Sequence, residues 1–528
     1  MEQSRAVSPR QSLWSSNMIW LVAILALSWL LRMNFWSRPF QMDEGVYAYI
    51  GWGMFKGLVP YKDIFDHKPP GIYVLYGLAF FLFGPNGMSI KIFGTIYTLG
   101  TVLSVFFVAR KLAGSTAGCL TALLYAVFSC GPRIEGGGVN TEVFMALPYT
   151  LAAYSFLRAV ETDKGKHYFL VGVWTGIAST IKQVAVVNLL WVGAYFLFYL
   201  WRLMKWKAVA HTVKNGVLVA VGAILPWIPF IFYFYLKDAT REFFFWQVSF
   251  NFTYVDVAYQ FLPTVSLFFV KTKSVISENG PLCLLSLVGI GLLWKKLRDP
   301  KSGIESEPGV SPPTVFFLMT SWLLFSFLGT ALGGRYYGHY YIQLIPSLTV
   351  LGGIGLAGVI QQIRARGWSC FRRPASLILA AVFACSLLLF VLTYGPYFFS
   401  YDGDQISLHQ YNTPLFSVTR FIGKYLGKQT KPDDLIYVWR SDPEINFYAL
   451  RKTPSPFLVH WTLNDRARNA VMRSLERAPP KYIVTMTNMV KFPELQDYVR
   501  ENYQPETNTE LEKLKEVFPF EIYRRKGE

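Results

Sequence analysis

Residues 40–70 read FQMDEGVYAYIGWGMFKGLVPYKDIFDHKPP. An apolar run over roughly residues 18–36 precedes this stretch, and another begins at Gly71. Between them stand Asp43, Glu44, Lys62, Asp63, Asp66, His67 and Lys68, interleaved with Tyr, Trp and Phe. The stretch is too polar to cross a bilayer core, where isolated charges are costly. It is also too aromatic for a bare tether. It reads as a folded loop on a membrane surface, with acids and bases able to face one another, and is the first candidate for an active site.

Composition supports the membrane setting. The 528 residues are 52% hydrophobic and 17% aromatic, with only 16% charged, and the mean hydropathy is +0.30. A soluble domain carries about 25% charged residues. The apolar residues fall into blocks that end near residue 395, and the remainder has soluble character. This pattern predicts a polytopic all-α membrane domain over 1–395 and a small external α/β domain over 396–528. The first apolar block lacks a small-residue cleavage site and opens a series, so it reads as an uncleaved span. The net charge of +18 does not call for nucleic acid, because the basic residues sit in short loops between spans. The five cysteines, at 119, 130, 283, 370 and 385, show no metal or redox spacing.

Taken in order, the blocks predict 11 spans. The N-terminus, with Arg5 and Arg10, lies in the cytoplasm, and the C-terminal domain lies outside. External loops are expected at 37–87, 132–141, 237–279 and 331–340. The run after Pro69 and Pro70, GIYVLYGLAFFLFG, is too short for a perpendicular span, so a juxtamembrane helix is expected there. Residues 168–201 are broken by Lys182 and Gln183 and are read as a tight pair of spans. Pro226 and Pro229 are expected to kink their helix. Internal segments then carry 19 Lys and Arg, against about 10 in a greater length of external loop. In the last domain, DDLIYVW, KYIVTM and FEIYRRK read as strands, while RARNAVMRSLERA and FPELQDYVRENY have helical periodicity. No glycine-rich phosphate loop occurs there. The bland role for this domain is a cap over the external loops.

Four polar clusters converge on the outer face: Asp43 and Glu44, DHKPP at 66–70, GGGVNTE at 136–142 and GGRYYGHYY at 333–341. Adjacent acids on a helix point about 100° apart, so one can face a cavity while the other serves the structure. The bland account of Asp43 and Glu44 is helix capping and first-turn charge. The sharper one is a general base for an acceptor hydroxyl, or a metal-binding pair. Lys68, Lys182 and Arg335 either snorkel to headgroups or clamp a phosphate or diphosphate in the outer leaflet. His339 either donates to the same phosphate or bonds a tyrosine, and His67 carries the same two readings.

The first loop, DEGVYAYIGWGMFKGLVPYKDIFDHKPPGIYVLYGLAFFLFG, resembles that of the protein O-mannosyltransferase and aminoarabinose transferase superfamily. These are membrane glycosyltransferases of the C-type fold. The shared pattern is an acidic pair after the first span, a G-x-x-P-Y-x-D stretch, and a basic residue before proline. GGRYYGHYYIQLIPSLTVLGGIGL resembles the late span of bacterial members, and the likeness covers about residues 1–395. It implies that Asp43 stands in the place of the catalytic acid and Lys68 in that of a lysine on the donor phosphate. Glu142 occupies the place of a second loop acid, often an aspartate. A lysine is frequent where Lys182 stands.

The expected function is therefore inverting transfer of a sugar, a hexose or pentose. The donor is a polyprenyl-phosphate sugar, and the acceptor is a lipid, glycan or protein on the outer face of a bacterial inner membrane. Asp43 and Glu44 are expected to be catalytic. Lys68, Lys182, Arg335 and His339 would hold the donor phosphate and lipid, and Tyr47, Tyr61, His67 and Glu142 would line the substrate. No cofactor is expected, and a divalent cation is not indicated. The competing reading is a flippase or ligase-like protein for polyprenyl-linked glycans. A flippase would show repeated bundles, and the two halves show no repeat. A solute transporter fits worse, because the charges gather at one surface and not at the midplane.

Overall fold

A computed structural model describes residues 9–203, 206–252, 261–299, 310–366, 375–439, 442–458, 465–486 and 492–527. Among these, eight helices are long and apolar enough to cross a membrane. They are Asn17–Ser37, Gly87–Phe128, Thr141–Thr162, Gln183–Arg202, Ala208–Leu236, Val265–Arg298, Pro312–Ala331 and Gly338–Arg364. The protein is thus a polytopic all-α membrane protein with a small sheet-containing C-terminal domain.

Eleven spans would need three further crossings, and the structure shows where the difference arises. Gly87–Phe128 is continuous over 42 residues except at Ala113 and Gly114, where Gly114 takes φ +80. That left-handed conformation is one glycine adopts without Cβ strain, and it follows directly on the basic pair Arg110 and Lys111. The 168–201 run divides into the 17-residue helix Gly165–Ile181 and Val187–Leu203, with extended Lys182 between them. Ala375–Phe399 is the last apolar helix. Elsewhere, a 3-10 turn at Leu225–Trp227 interrupts the helix at Pro226. Residues 261–279, expected as external loop, instead open the helix Phe261–Arg298. Residues 253–260 of that expected loop, and 367–374 with Cys370, lie outside the described residues.

The chain forms two compact units. The first comprises Met1–Asn34, Gly94–Ile228 and Val255–Ser400. Its helices approach one another closely through small residues, as membrane helices do. A Cβ on Gly172 would overlap the Val219 carbonyl, and one on Gly222 would overlap the Phe169 carbonyl. Arg32, 4% exposed, joins its helix to the end of Gly87–Phe128. Its guanidinium donates to the Ala126 carbonyl at 3.3 Å, to Ser129 Oγ at 2.6 Å and to Ser28 Oγ at 2.9 Å. A helix C-terminus favours a cation at this position.

The second unit comprises Phe35–Phe93, Pro229–Tyr254 and Tyr401–Glu528. Its sheet holds β1 (Ile436–Trp439), β2 (Tyr482–Thr485), β3 (Tyr503–Pro505) and β4 (Glu521–Arg525) in the order β1-β2-β4-β3. β1 and β2 are parallel, and the other pairs are antiparallel. Side chains alternate between faces, as the pleat requires. Ile436, Val438, Val484 and Ile522 pack with Ile422 and Leu426 of Leu415–Gln429 and Leu511 of Thr509–Val517. Tyr437, Trp439 and Ile483 pack with Val471 and Leu475 of Asp465–Arg477 and Val499 of Pro493–Asn502. The strands and two helices expected in this domain are present, and the structure adds β3 and four further short helices.

Gly172→Val is expected to lower stability by at least the ~1–3 kcal/mol of an overpacked core, because the new side chain meets backbone on the facing helix. Gly291→Ala meets nothing within 4 Å and should raise the melting temperature or leave it unchanged. Thermal unfolding of both variants in detergent checks the contrast.

Candidate active site

The helix Met42–Phe55 begins at a capping box. Gln41 accepts the Asp43 N–H at 2.9 Å, and Glu44 Oε2 accepts the Gln41 N–H at 3.1 Å. Glu44 Oε1 also accepts from Arg38 Nη2 at 2.5 Å, and both side chains are fully excluded from water. Arg38 donates further to Tyr411 Oη at 2.5 Å and to Gln410 Oε1 at 3.2 Å. Its carbonyl accepts Lys91 Nζ at 2.6 Å. The two adjacent acids therefore part company. The Glu44 charge is spent inside the fold. Asp43 is half-buried, and among the described residues its carboxylate has no recorded hydrogen bond or ion pair.

The loop after this helix is closed around backbone carbonyls. Tyr61 takes φ +69 and is fully buried. Its hydroxyl donates to the Lys68 carbonyl at 2.6 Å, which also accepts Gln247 Nε2 at 2.7 Å. Asn251 Nδ2 donates to the His67 carbonyl at 3.1 Å. Asp66 accepts the Tyr73 hydroxyl at 2.7 Å and the His67 N–H at 2.7 Å. His67 Nδ1 lies 3.2 Å from Asp66 Oδ1, and Lys68 Nζ lies 3.3 Å from His67 Nε2.

Electrostatics follow from this packing. Burial pushes the Asp66 carboxyl up, but the His67 contact, the Lys68 charge and the Tyr73 hydroxyl outweigh it and hold the group below its ordinary value. Burial and then the Lys68 ammonium hold His67 below its ordinary value, against the pull of Asp66 and Asp43. His67 is thus neutral at pH 7 and able to accept a hydrogen bond. Tyr47 and Tyr61, expected beside a sugar, are buried. Tyr47 packs on Tyr73 and Tyr76, and Tyr61 on Tyr73, Phe234 and Phe243. In this structure they shape the loop from within.

The remaining expected residues belong to the first unit. Glu142, in the first turn of Thr141–Thr162, accepts from Lys182 Nζ in a short contact and from Thr141 Oγ1 at 2.8 Å. The same ammonium sits 3.8 Å over the Tyr340 ring, a favourable cation–π arrangement. Lys182, expected as a cation for phosphate, is thus already engaged by a carboxylate. His339 Nδ1 lies 3.3 Å from Glu135 Oε1, and its ring stacks on Tyr337 at 5.8 Å. Arg335 is half-buried beside Gly334, which has φ +61, and Tyr336, which has φ +48.

Sequence reasoning passed over several partners. Arg38 stood outside every motif, although it is the one basic residue between the first span and the acid pair. Glu135 and Glu278 were also missed. Glu278 Oε2 accepts the Arg133 N–H at 2.9 Å and so secures the 131–138 turn. No local pattern announces such long-range partners. Among the described residues, no group of three or more His, Cys, Asp or Glu is placed to hold a metal ion.

The family described as dolichyl-phosphate-mannose-protein mannosyltransferase matches residues 67–230. The C-terminal domain of the putative competence-induced protein Ccs4 matches residues 419–526. An undecaprenyl phosphate-alpha-4-amino-4-deoxy-L-arabinose arabinosyl transferase of Edwardsiella ictaluri is 23% identical over 350 residues, covering 63% of this chain and 57% of its own. A polyprenol-phosphate-mannose–protein mannosyltransferase of Corynebacterium glutamicum is 23% identical over 192 residues, 31% of this chain and 37% of its own. The chain therefore spans about half or less of these two relatives. The crystal structure of ArnT from Cupriavidus metallidurans bound to undecaprenyl phosphate superposes with a TM-score of 0.59, covering 96% of this chain and 97% of its own at 14% identity. That likeness is one of fold.

These findings define a membrane protein of the C-type glycosyltransferase fold. Residues 67–230 resemble the dolichyl-phosphate-mannose-protein mannosyltransferase family, and the chain as a whole shares its fold with ArnT.

Glu44→Gln removes one partner of a buried ion pair and leaves the Arg38 charge uncompensated. Such a break costs about 3–5 kcal/mol. The variant should accumulate poorly and melt well below the parent in detergent. Melting within a degree or two of the parent would show that the pair is not structural.

Proposed function

We propose that this chain transfers a sugar, a hexose or pentose, from a polyprenyl-phosphate donor to an envelope acceptor on the outer face of the membrane, with inversion at C1. The family likeness supports the reaction class. The observation that carries the residue assignment is the division between the two acids of the first helix. Glu44 is neutralised by Arg38, while Asp43 keeps its carboxylate half-exposed at the start of a rigid element.

In this reading an acceptor hydroxyl attacks C1 from the face opposite the lipid phosphate. Asp43 takes the hydroxyl proton as the new glycosidic bond forms. The C1–O bond to phosphate breaks, and polyprenyl phosphate leaves with the electron pair. The Lys68 ammonium stabilises the charge that develops there. Glu142 and Lys182 support the fold around Tyr340, and Glu44 supports the helix that carries Asp43. The N-terminus lies in the cytoplasm and the C-terminal domain outside.

Asp43→Asn keeps the volume and removes the basicity. Turnover in proteoliposomes with a defined lipid-linked donor should fall by at least ~10²-fold, the usual cost of a positioned base, while donor binding persists. Near-normal transfer would sink the assignment, and loss of binding together with turnover would move Asp43 to a binding role.

Lys68→Ala deletes one charge-assisted hydrogen bond, worth roughly 1.5–3 kcal/mol. Turnover at limiting donor should drop by ~10–150-fold. An unchanged rate with unchanged donor affinity would remove Lys68 from the phosphate site.

A further inference from the structure

Lys68 does not stand alone in its loop. Its ammonium lies 3.3 Å from His67 Nε2, and the opposite ring nitrogen, Nδ1, lies 3.2 Å from Asp66 Oδ1. Asp66 is itself held by the Tyr73 hydroxyl at 2.7 Å, from the helix Pro70–Phe83. Asp66 and His67 are each 5% exposed. The backbone under the three residues is pinned from the segment 229–254, through Gln247 on the Lys68 carbonyl and Asn251 on the His67 carbonyl. A lysine side chain has four rotatable bonds and disperses its charge unless something holds the head. Here a buried imidazole is placed to do so.

We infer that Asp66 and His67 are positioning residues that aim the Lys68 ammonium, with His67 accepting from Lys68 at Nε2 while Asp66 fixes the proton on Nδ1. Neither residue touches the reacting atoms. The arrangement assigns one tautomer, because an ammonium can only donate and so requires the lone pair on Nε2, which leaves the proton on Nδ1, on the side of Asp66 Oδ1 at 3.2 Å. The inference rests on the reading of Lys68 as the cation that meets the donor phosphate.

The same geometry makes the aim of Lys68 depend on pH. The charged groups facing the ring are Asp66 and Lys68 from its own loop and Asp43 from the helix Met42–Phe55. The segment 240–252 places the Phe250 ring 6.0 Å from the imidazole and the neutral Asn251 on the His67 carbonyl. A second proton on His67 abolishes the Nε2 acceptor and sets an imidazolium against the ammonium. Burial and Lys68 hold the His67 pKa below its ordinary value, so this occurs on the acid side of the ordinary histidine range. Lys68 is then released from its position as pH falls, and the KM for donor rises.

Three variants test this in proteoliposomes with a defined polyprenyl-phosphate donor. His67→Ala is expected to raise the KM for donor by about 10-fold at pH 7.5, the low end for losing a hydrogen bond to a charged group, with a smaller change in kcat. His67→Gln offers an acceptor at the Nε2 position without a titrating group. It should recover most of that loss and flatten the acid-side rise in KM. Asp66→Asn should raise KM at neutral pH, because the ring is no longer oriented, and should move the acid-side rise to lower pH, because the carboxylate that favours the imidazolium is gone. An independent readout needs no turnover: acetylation of Lys68 by a limiting amine reagent, quantified by peptide mass spectrometry across pH. His67→Ala should change the Lys68 labelling profile, and His67→Gln should restore it at neutral pH. If labelling responds in this way but no variant or parent transfers sugar, the relay stands and the proposed function falls. Transfer in the parent with KM and labelling unmoved by His67→Ala overturns the relay. So does a parallel loss of KM, kcat and melting temperature that His67→Gln does not rescue.

Discussion

A carboxylate and a guanidinium shut away from water, Glu44 and Arg38, set the conditions for the second unit. Moving two such charges out of water is costly and is offset only when their remaining donors and acceptors are also satisfied. The fold supplies partners from several directions. Gln41 gives its N–H to Glu44, Tyr411 and Gln410 take the other arm of Arg38, and Lys91 caps the Arg38 carbonyl. The pair therefore ties the end of the first span, the acid helix, the start of the next long helix and the helix Gly403–Tyr411 into one network. If any of these were misplaced, a buried charge would lose its partner. That penalty makes the arrangement all-or-none and fixes where Asp43 points.

The first unit shows the same logic with a different outcome for its lysine. Lys182 stands in extended conformation at the break between two helices. Its ammonium is met by Glu142 and by the Tyr340 ring. Lys68 differs in kind. Its backbone carbonyl is held by Tyr61 and Gln247, and its half-buried head lies 3.3 Å from His67 Nε2. A cation already neutralised by a buried carboxylate gains little from a second anion. The two lysines looked alike in sequence because each sits beside a break in an apolar run.

What was legible in the sequence follows from the range of the forces involved. Most of the long apolar helices, the helix opening at Pro70, the kink at Pro226 and the strands of the last domain come from local hydropathy, proline geometry and alternation. Those signals lie within a few residues of their effect. The polar clusters were also visible, because charge at a membrane surface stands out against its apolar flanks. Their partners were not visible. Arg38 with Tyr411, Lys182 with Glu142, and His339 with Glu135 join positions that only tertiary packing brings together. The two aromatic residues assigned to the sugar, Tyr47 and Tyr61, show the same limit. Residue type marks an aromatic as able to stack on a sugar, but its burial depends on Phe234 and Phe243, which lie far along the chain.

The acid helix itself is a poor helix former on local grounds, since Gly45, Gly51 and Gly53 each cost roughly 1 kcal/mol against alanine. Packing explains their presence. A Cβ on Gly45 would lie 2.7 Å from the Glu444 side chain, and one on Gly51 would lie 2.9 Å from Tyr76 Cβ. One on Gly53 would lie 3.0 Å from Ile64. Three neighbours thus reach the helix backbone itself: the short helix Glu444–Ala449 of the C-terminal domain, the helix Pro70–Phe83, and the loop between. Further bonds run from Thr453 to Tyr49 Oη at 2.9 Å and from Phe40 to Tyr448 Oη at 2.8 Å. The helix is held by its surroundings and not by its own propensity, so its position is as precise as those contacts. A catalytic carboxylate must be placed to within about 0.5 Å. On a helix of weak propensity, that placement rests on the C-terminal domain as much as on the loop. Within this unit the domain is part of the mount for the acid and not merely a cover.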